Sequence, residues 1–97
     1  IPLMSGSRKL KYLFLTKNAQ ADLDWWREND PKKLAKILAL IQSALIDPER
    51  GIGKPERLKY QKQITYSRRI DLQNRMVYTY SDQTLKIIQL RHHYQAD

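Results

Sequence analysis

The chain has 97 residues, 41% hydrophobic and 29% charged, the balance of one globular domain with no room for a second. It contains no cysteine, which excludes a disulfide framework and any thiolate metal site, and its apolar runs, such as 12–15 and 37–41, are far too short to span a bilayer. Lys and Arg number 18 against 10 Asp and Glu, a net charge of +8, and in so small a domain that excess points to a polyanionic partner.

Residues 1–9 are expected to form a flexible leader, with Met4 a candidate start, ahead of a single domain over 10–97. No long apolar stretch with a small-residue cleavage site precedes the domain, so a cytoplasmic location is expected. Leu10, Tyr12 and Phe14 alternate with Lys11, Leu13 and Leu15, predicting a strand over 10–15 with one strongly apolar face. Thr16 is placed to cap a helix whose apolar face is Ala19, Leu23 and Trp26, widened by Trp25 and ending near Asn29. Asp30-Pro31 predicts a new helix, with Asp as N-cap and Pro at its first position. Leu34, Ile37, Leu38, Ile41 and Leu45 supply its stripe, and Asp47-Pro48 stops it. A connection of a residue or two makes the two helices an antiparallel hairpin.

The stretch Glu49 to Pro55, ERGIGKP, has loop chemistry, and 58–61 predicts a short strand. Ile64, Tyr66 and Ile70 share one parity of a following strand, with Arg69 on the other. In 75–81, Met76, Tyr78 and Tyr80 face one way and Arg75, Val77 and Thr79 the other. Ser81-Asp82-Gln83 reads as a hairpin turn into a last strand over 84–94. The expected fold is α+β: an N-terminal strand, the helical hairpin, then an antiparallel β-sheet, in the order β-α-α-β-β-β-β. The hairpin covers one face of the sheet and leaves the other open to basic side chains.

Two apparent motifs fail. Gly51-Ile52-Gly53-Lys54 lacks the earlier glycine of a phosphate loop and has Pro55 where Ser or Thr is required. His92 and His93, adjacent on a strand, point to opposite faces and cannot share one metal ion; neither a metal nor any other cofactor is expected. The remaining candidates are Glu56, Lys59, Arg68, Arg69, Arg75, His93 and Tyr94. Each has a plain alternative: Glu56 neutralising Arg57 or Lys59, Arg75 a surface strand residue, the histidines a frayed end. Together, on adjacent antiparallel strands, they make a set that metal-free RNA cleavage requires: a base for the 2′-hydroxyl, an acid for the departing 5′-oxygen and positive charge on the phosphorane. Eight of the basic residues fall within 50–75, among only two acids, Glu56 and Asp71.

The blocks Gly51-Ile-Gly-Lys-Pro-Glu56-Arg-Leu-Lys59, Ser67-Arg-Arg-Ile70, Arg75-Met-Val-Tyr78 and Arg91-His-His-Tyr94 resemble, in order and spacing, the YoeB branch of the RelE toxin family. The resemblance runs from about Lys11 to Tyr94. It implies a microbial-ribonuclease-like fold and a ribosome-dependent mRNA endonuclease, the translation-inhibiting toxin of a type II toxin–antitoxin pair. By the same resemblance Glu56 is the general base, Arg75 stabilises the transition-state phosphate, His93 is the general acid and Tyr94 orients the RNA. Lys54, Lys59, Arg68, Arg69 and Arg91 hold phosphate. The implied partners are the ribosome, mRNA and a YefM/Phd-like antitoxin, in a hetero-oligomer or alongside a homodimer, with no membrane involved. Departures are the tail Gln95-Ala96-Asp97, His92 where an aromatic is common, and a hairpin before Tyr66 without the usual Gly-aromatic. A catalytically silent binder acting on gyrase or the ribosome remains the alternative, for which an acid–base pair is superfluous. A plain RNA-binding module would display exposed aromatics, whereas most aromatics here fall on predicted core faces.

Overall fold

The computed structural model describes residues 9–59 and 61–92. In chain order these form β1 (Tyr12–Leu15), α1 (Lys17–Asn29), α2 (Lys33–Ile46), β2 (Glu56–Arg57), β3 (Thr65–Arg69), β4 (Arg75–Ser81) and β5 (Thr84–Gln89). The five strands make one sheet in the order β1-β5-β4-β3-β2. The strands β2 to β5 are antiparallel to their neighbours, as their short connections demand. The β1 strand instead pairs parallel to β5, Tyr12 opposite Thr84 and Leu15 opposite Ile87, so the sheet is mixed rather than antiparallel throughout. A parallel partner needs a long crossover, and here everything between β1 and β5 serves as one.

Thr16 caps α1 as its sequence position predicts, its hydroxyl accepting from the Ala19 N–H at 3.1 Å. The second helix begins later than expected. Asp30 closes α1, donating its N–H to the Trp26 carbonyl, and α2 starts at Lys33 without a side-chain cap. The Lys33 and Leu34 N–H groups bond back to Asp30 and Pro31 carbonyls, so the Asp-Pro pair forms a tight turn rather than the first helical residues. Asp47 ends α2, one residue before Pro48.

One core lies between the helices and the sheet. Ala19 and Trp26 of α1, Ile37, Leu40, Ile41 and Ala44 of α2, Met76, Tyr78, Leu85 and Ile87 of the sheet, and Leu90 just after β5 are all buried. Leu38, read as part of the α2 stripe, is 55% exposed, and Leu40 takes its place. The β1 face is reversed as well: Tyr12 and Phe14 are exposed, and Leu15 packs against the core. At the other edge the short strand is 56–57 rather than 58–61.

Candidate functional site

Sheet register decides which side chains meet. Glu56 lies opposite Ser67, Ser67 opposite Val77, and Arg69 opposite Arg75. Directly paired antiparallel residues share a face, so Glu56, Arg69 and Arg75 project from three consecutive strands on the side away from the helices. From strand spacing and rise, Glu56 and Arg69 are about 8 Å apart at Cα and Glu56 and Arg75 about 12 Å. Between them lie the small side chains Ser67 and Val77, only 4% and 0% exposed, so the charged groups flank a covered part of the sheet. Among the described residues no second carboxylate lies on this part of the face: the register places Thr65, Thr79 and Lys86 in the next row.

Lys54, with a left-handed φ of 52°, shares a cleft of about 420 Å³ with Lys36, Arg69, Asp71 and Leu72. The Arg69 N–H donates to the Gly53 carbonyl at 2.7 Å, which ties that loop to the edge of the charged face. Lys59 lies exposed just beyond β2, beside Arg57, Leu58 and Gln61. His93 and Tyr94 lie outside the described residues.

Arg68 does not belong to this face. It is 0% exposed and shares the core side with Tyr66 and Ile70. Its Nε donates to the Tyr78 hydroxyl at 2.8 Å, Nη1 to Ser43 Oγ (2.7 Å) and the Ile52 carbonyl (3.1 Å), and Nη2 to the Asp47 (2.7 Å) and Arg50 (2.9 Å) carbonyls. A guanidinium has five N–H donors, and five are used, so the expected phosphate contact is replaced by a structural role. Gly51 and Gly53 serve the same centre. A Cβ on Gly51 would lie 2.2 Å from Ser43 Oγ, and one on Gly53 would lie 2.5 Å from Leu40, while φ values of 126° and 83° already favour glycine. The Gly-Ile-Gly stretch wraps a buried arginine.

The strand leading to the chain end is anchored by residues that sequence reasoning passed over. The register slips between Val77 and Tyr78, a bulge that puts Gln89 on the charged face and Leu90 in the core. Buried Asp22 accepts the Leu90 N–H at 3.0 Å, and Trp26 Nε1 donates to the Leu90 carbonyl at 2.7 Å. Arg91, expected to hold phosphate, stacks its guanidinium 3.7 Å above the Trp25 ring. In the β3–β4 turn, Asp71 accepts from Asn74 Nδ2 and from the Gln73 and Asn74 N–H groups, and pairs with Lys33 at 3.3 Å. Burial pushes the Asp71 pKa upward, but these hydrogen bonds outweigh it and hold it below its ordinary 3.8. The Asp71-x-x-Asn74 spacing is a turn signal that was legible; Asp22 carried one too, lying at i+3 from Ala19 on an otherwise apolar stripe. Among the described residues no three His, Asp or Glu converge as a metal-ligand set, and no helix is long and apolar enough to cross a membrane.

The sequence profile described as YoeB-like toxin of bacterial type II toxin–antitoxin system matches residues 15–94. A toxin YoeB of Synechocystis is 47% identical over 76% of this chain and 86% of its own. A YoeB/ParE toxin from Agrobacterium tumefaciens superposes with a TM-score of 0.83 at 38% identity, over 87% of this chain and all of that one. The toxin in a heterotetrameric YoeB–YefM complex from Staphylococcus aureus gives 0.77 at 37% identity, over 89% of this chain and 99% of its own.

Proposed function

This chain belongs to the YoeB-like toxins of bacterial type II toxin–antitoxin systems, and from that premise we propose that it inhibits translation by cutting mRNA on the ribosome without a metal ion. The observation that carries the reading is the carboxylate of Glu56 on one sheet face with the cross-strand pair Arg69 and Arg75. Glu56 takes the proton from the RNA 2′-hydroxyl, and the freed oxygen attacks the adjacent phosphorus. Arg75, with Arg69 beside it, donates to the non-bridging oxygens as negative charge builds in the transition state. His93 gives a proton to the departing 5′-oxygen and Tyr94 orients the RNA. The products are a 2′,3′-cyclic phosphate, or a 3′-phosphate after hydrolysis, and a 5′-hydroxyl.

Lys54 and Lys59 hold flanking phosphates. Arg91 stacks through its face on Trp25, which leaves the in-plane N–H groups of its guanidinium available to a further phosphate. The partner that restrains the activity is a YefM-like antitoxin, by analogy with the Staphylococcus aureus complex, and the location is the cytoplasm.

Purified protein incubated with translating ribosomes should create new mRNA 5′ ends. Glu56→Gln and Arg75→Ala should each lower the rate by about 10²–10³-fold, and unchanged cleavage in both would overturn the site. Translation arrest with no new ends would favour the silent-binder reading.

A further inference from the structure

His92, the last described residue, has a left-handed φ of 71°, a conformation that is unfavourable for a residue with a Cβ and persists only where its surroundings enforce it. Three hydrogen bonds do so. The His92 N–H donates to Asn74 Oδ1 at 2.6 Å, and the His92 carbonyl accepts from the Arg75 N–H at 3.1 Å and from Gln89 Nε2 at 3.2 Å. Of these, the Asn74 bond is the shortest, and it is the one whose orientation is fixed from elsewhere. An ionised carboxylate only accepts, so Asp71 draws the Asn74 amide nitrogen toward itself, at 3.1 and 3.3 Å from its two oxygens, and the amide oxygen is left to face His92. Lys33, on the first turn of α2, holds Asp71 in turn. A chain of contacts thus runs from α2 through the β3–β4 turn to the backbone immediately before His93.

We propose that Asn74 is a positioning residue: with Asp71 it locks the His92 backbone and so fixes the point and direction from which the chain continues to His93. The inference rests on the role proposed above for His93. Neither side chain need touch RNA. A displacement of about 1 Å at a reacting group is enough to cost on the order of 10²-fold in rate.

The test compares wild type, Asn74→Ala and the exchanged pair Asp71→Asn/Asn74→Asp. In the exchanged pair the amide at 71 donates to the carboxylate at 74, whose other oxygen still accepts the His92 N–H. Single-turnover cleavage on saturating ribosomes should fall about 10–100-fold in Asn74→Ala, with ribosome affinity unchanged, and the exchanged pair should recover most of the loss. Amide hydrogen exchange on the isolated proteins should show the His92 N–H opening at least about tenfold faster in Asn74→Ala, with β4 and β5 amides unaltered. The proposal is overturned if folded Asn74→Ala cleaves like wild type, or if the exchanged pair folds, protects the His92 amide and still cleaves no faster than Asn74→Ala. A wild-type protein that cuts no RNA sinks the functional reading instead; the His92 exchange rates then decide separately whether Asn74 anchors the backbone.

Discussion

Arg68 and Arg69 are neighbours in the chain with opposite environments, one sealed in the core and the other at the border of the charged face. The Arg68 charge is tolerated because every donor meets an oxygen, and the Tyr78 hydroxyl that accepts from Nε donates its own hydrogen bond to the Pro48 carbonyl. Burial, partly offset by Arg68, pushes the Tyr78 pKa up to about 12, so the hydroxyl keeps that proton. Lysine has three donors and cannot serve five acceptors, and each buried acceptor left bare costs about 1–3 kcal/mol. Arg68→Lys should therefore destabilise the protein by about 3 kcal/mol, seen as a lower urea midpoint, while the folded fraction keeps its cleavage rate. Arg69→Ala should show the reverse, stability within about 0.5 kcal/mol and slower cleavage. The sequence carried the relevant sign, since Arg68 shares the parity of Ile64, Tyr66 and Ile70, but the Arg-Arg block drew both residues into one functional role. That Arg69 and Arg75 share the opposite parity could be read from alternation alone, whereas Glu56 fell outside the strand expected at 58–61 and was singled out by the basic stretch around it and by the resemblance.

Elements with a local chemical signature were readable, and those settled by tertiary packing were not. Thr16 and Asp47-Pro48 mark helix ends by their own chemistry. Leu38 and Leu40 flank the α2 stripe alike; Leu40 is buried because the loop at Gly53 lies against it, a contact that helical periodicity cannot supply. The β1 face follows from its parallel pairing to β5, and the β5 bulge leaves no mark in composition while reversing the parity of everything after it. Thr16 joins both kinds of element: besides capping α1, its hydroxyl donates to the Ile88 carbonyl at 3.0 Å, at the bulge itself. Loss of a cap costs about 1 kcal/mol and up to about 2. Thr16→Ala should fall at the upper end and lower the melting midpoint by about 4–8 °C per kcal/mol, whereas Thr16→Ser, which keeps the hydroxyl, should stay close to wild type. Equal losses in both variants would show that the methyl group, and not the two hydrogen bonds, matters at this junction.

At the scale of the whole molecule the net charge of +8 is unevenly available. Arg68 is withdrawn from the surface field, Lys33 is paired with Asp71, and Arg50 lies 3.7 Å from Asp47. Lys54 and Lys59 lie on the segments either side of β2, and Arg69 and Arg75 on β3 and β4, so the basic groups near Glu56 are spread along one edge of the sheet. Such a field attracts RNA phosphates by releasing condensed counterions, and on single strands each contact contributes about −0.7 to the slope of log affinity against log salt. Ribosome affinity measured across a salt series should therefore fall steeply for wild type. Lys54→Ala/Lys59→Ala should flatten the slope by about 1.4, one contribution for each lost contact. Arg68→Lys, at a temperature where it is folded, should leave the slope unchanged, because its charge never meets solvent. A double lysine variant with the wild-type slope would mean that these two side chains touch no phosphate and act only as solubilising charge, and the RNA path would then have to be confined to Arg69, Arg75 and Arg91.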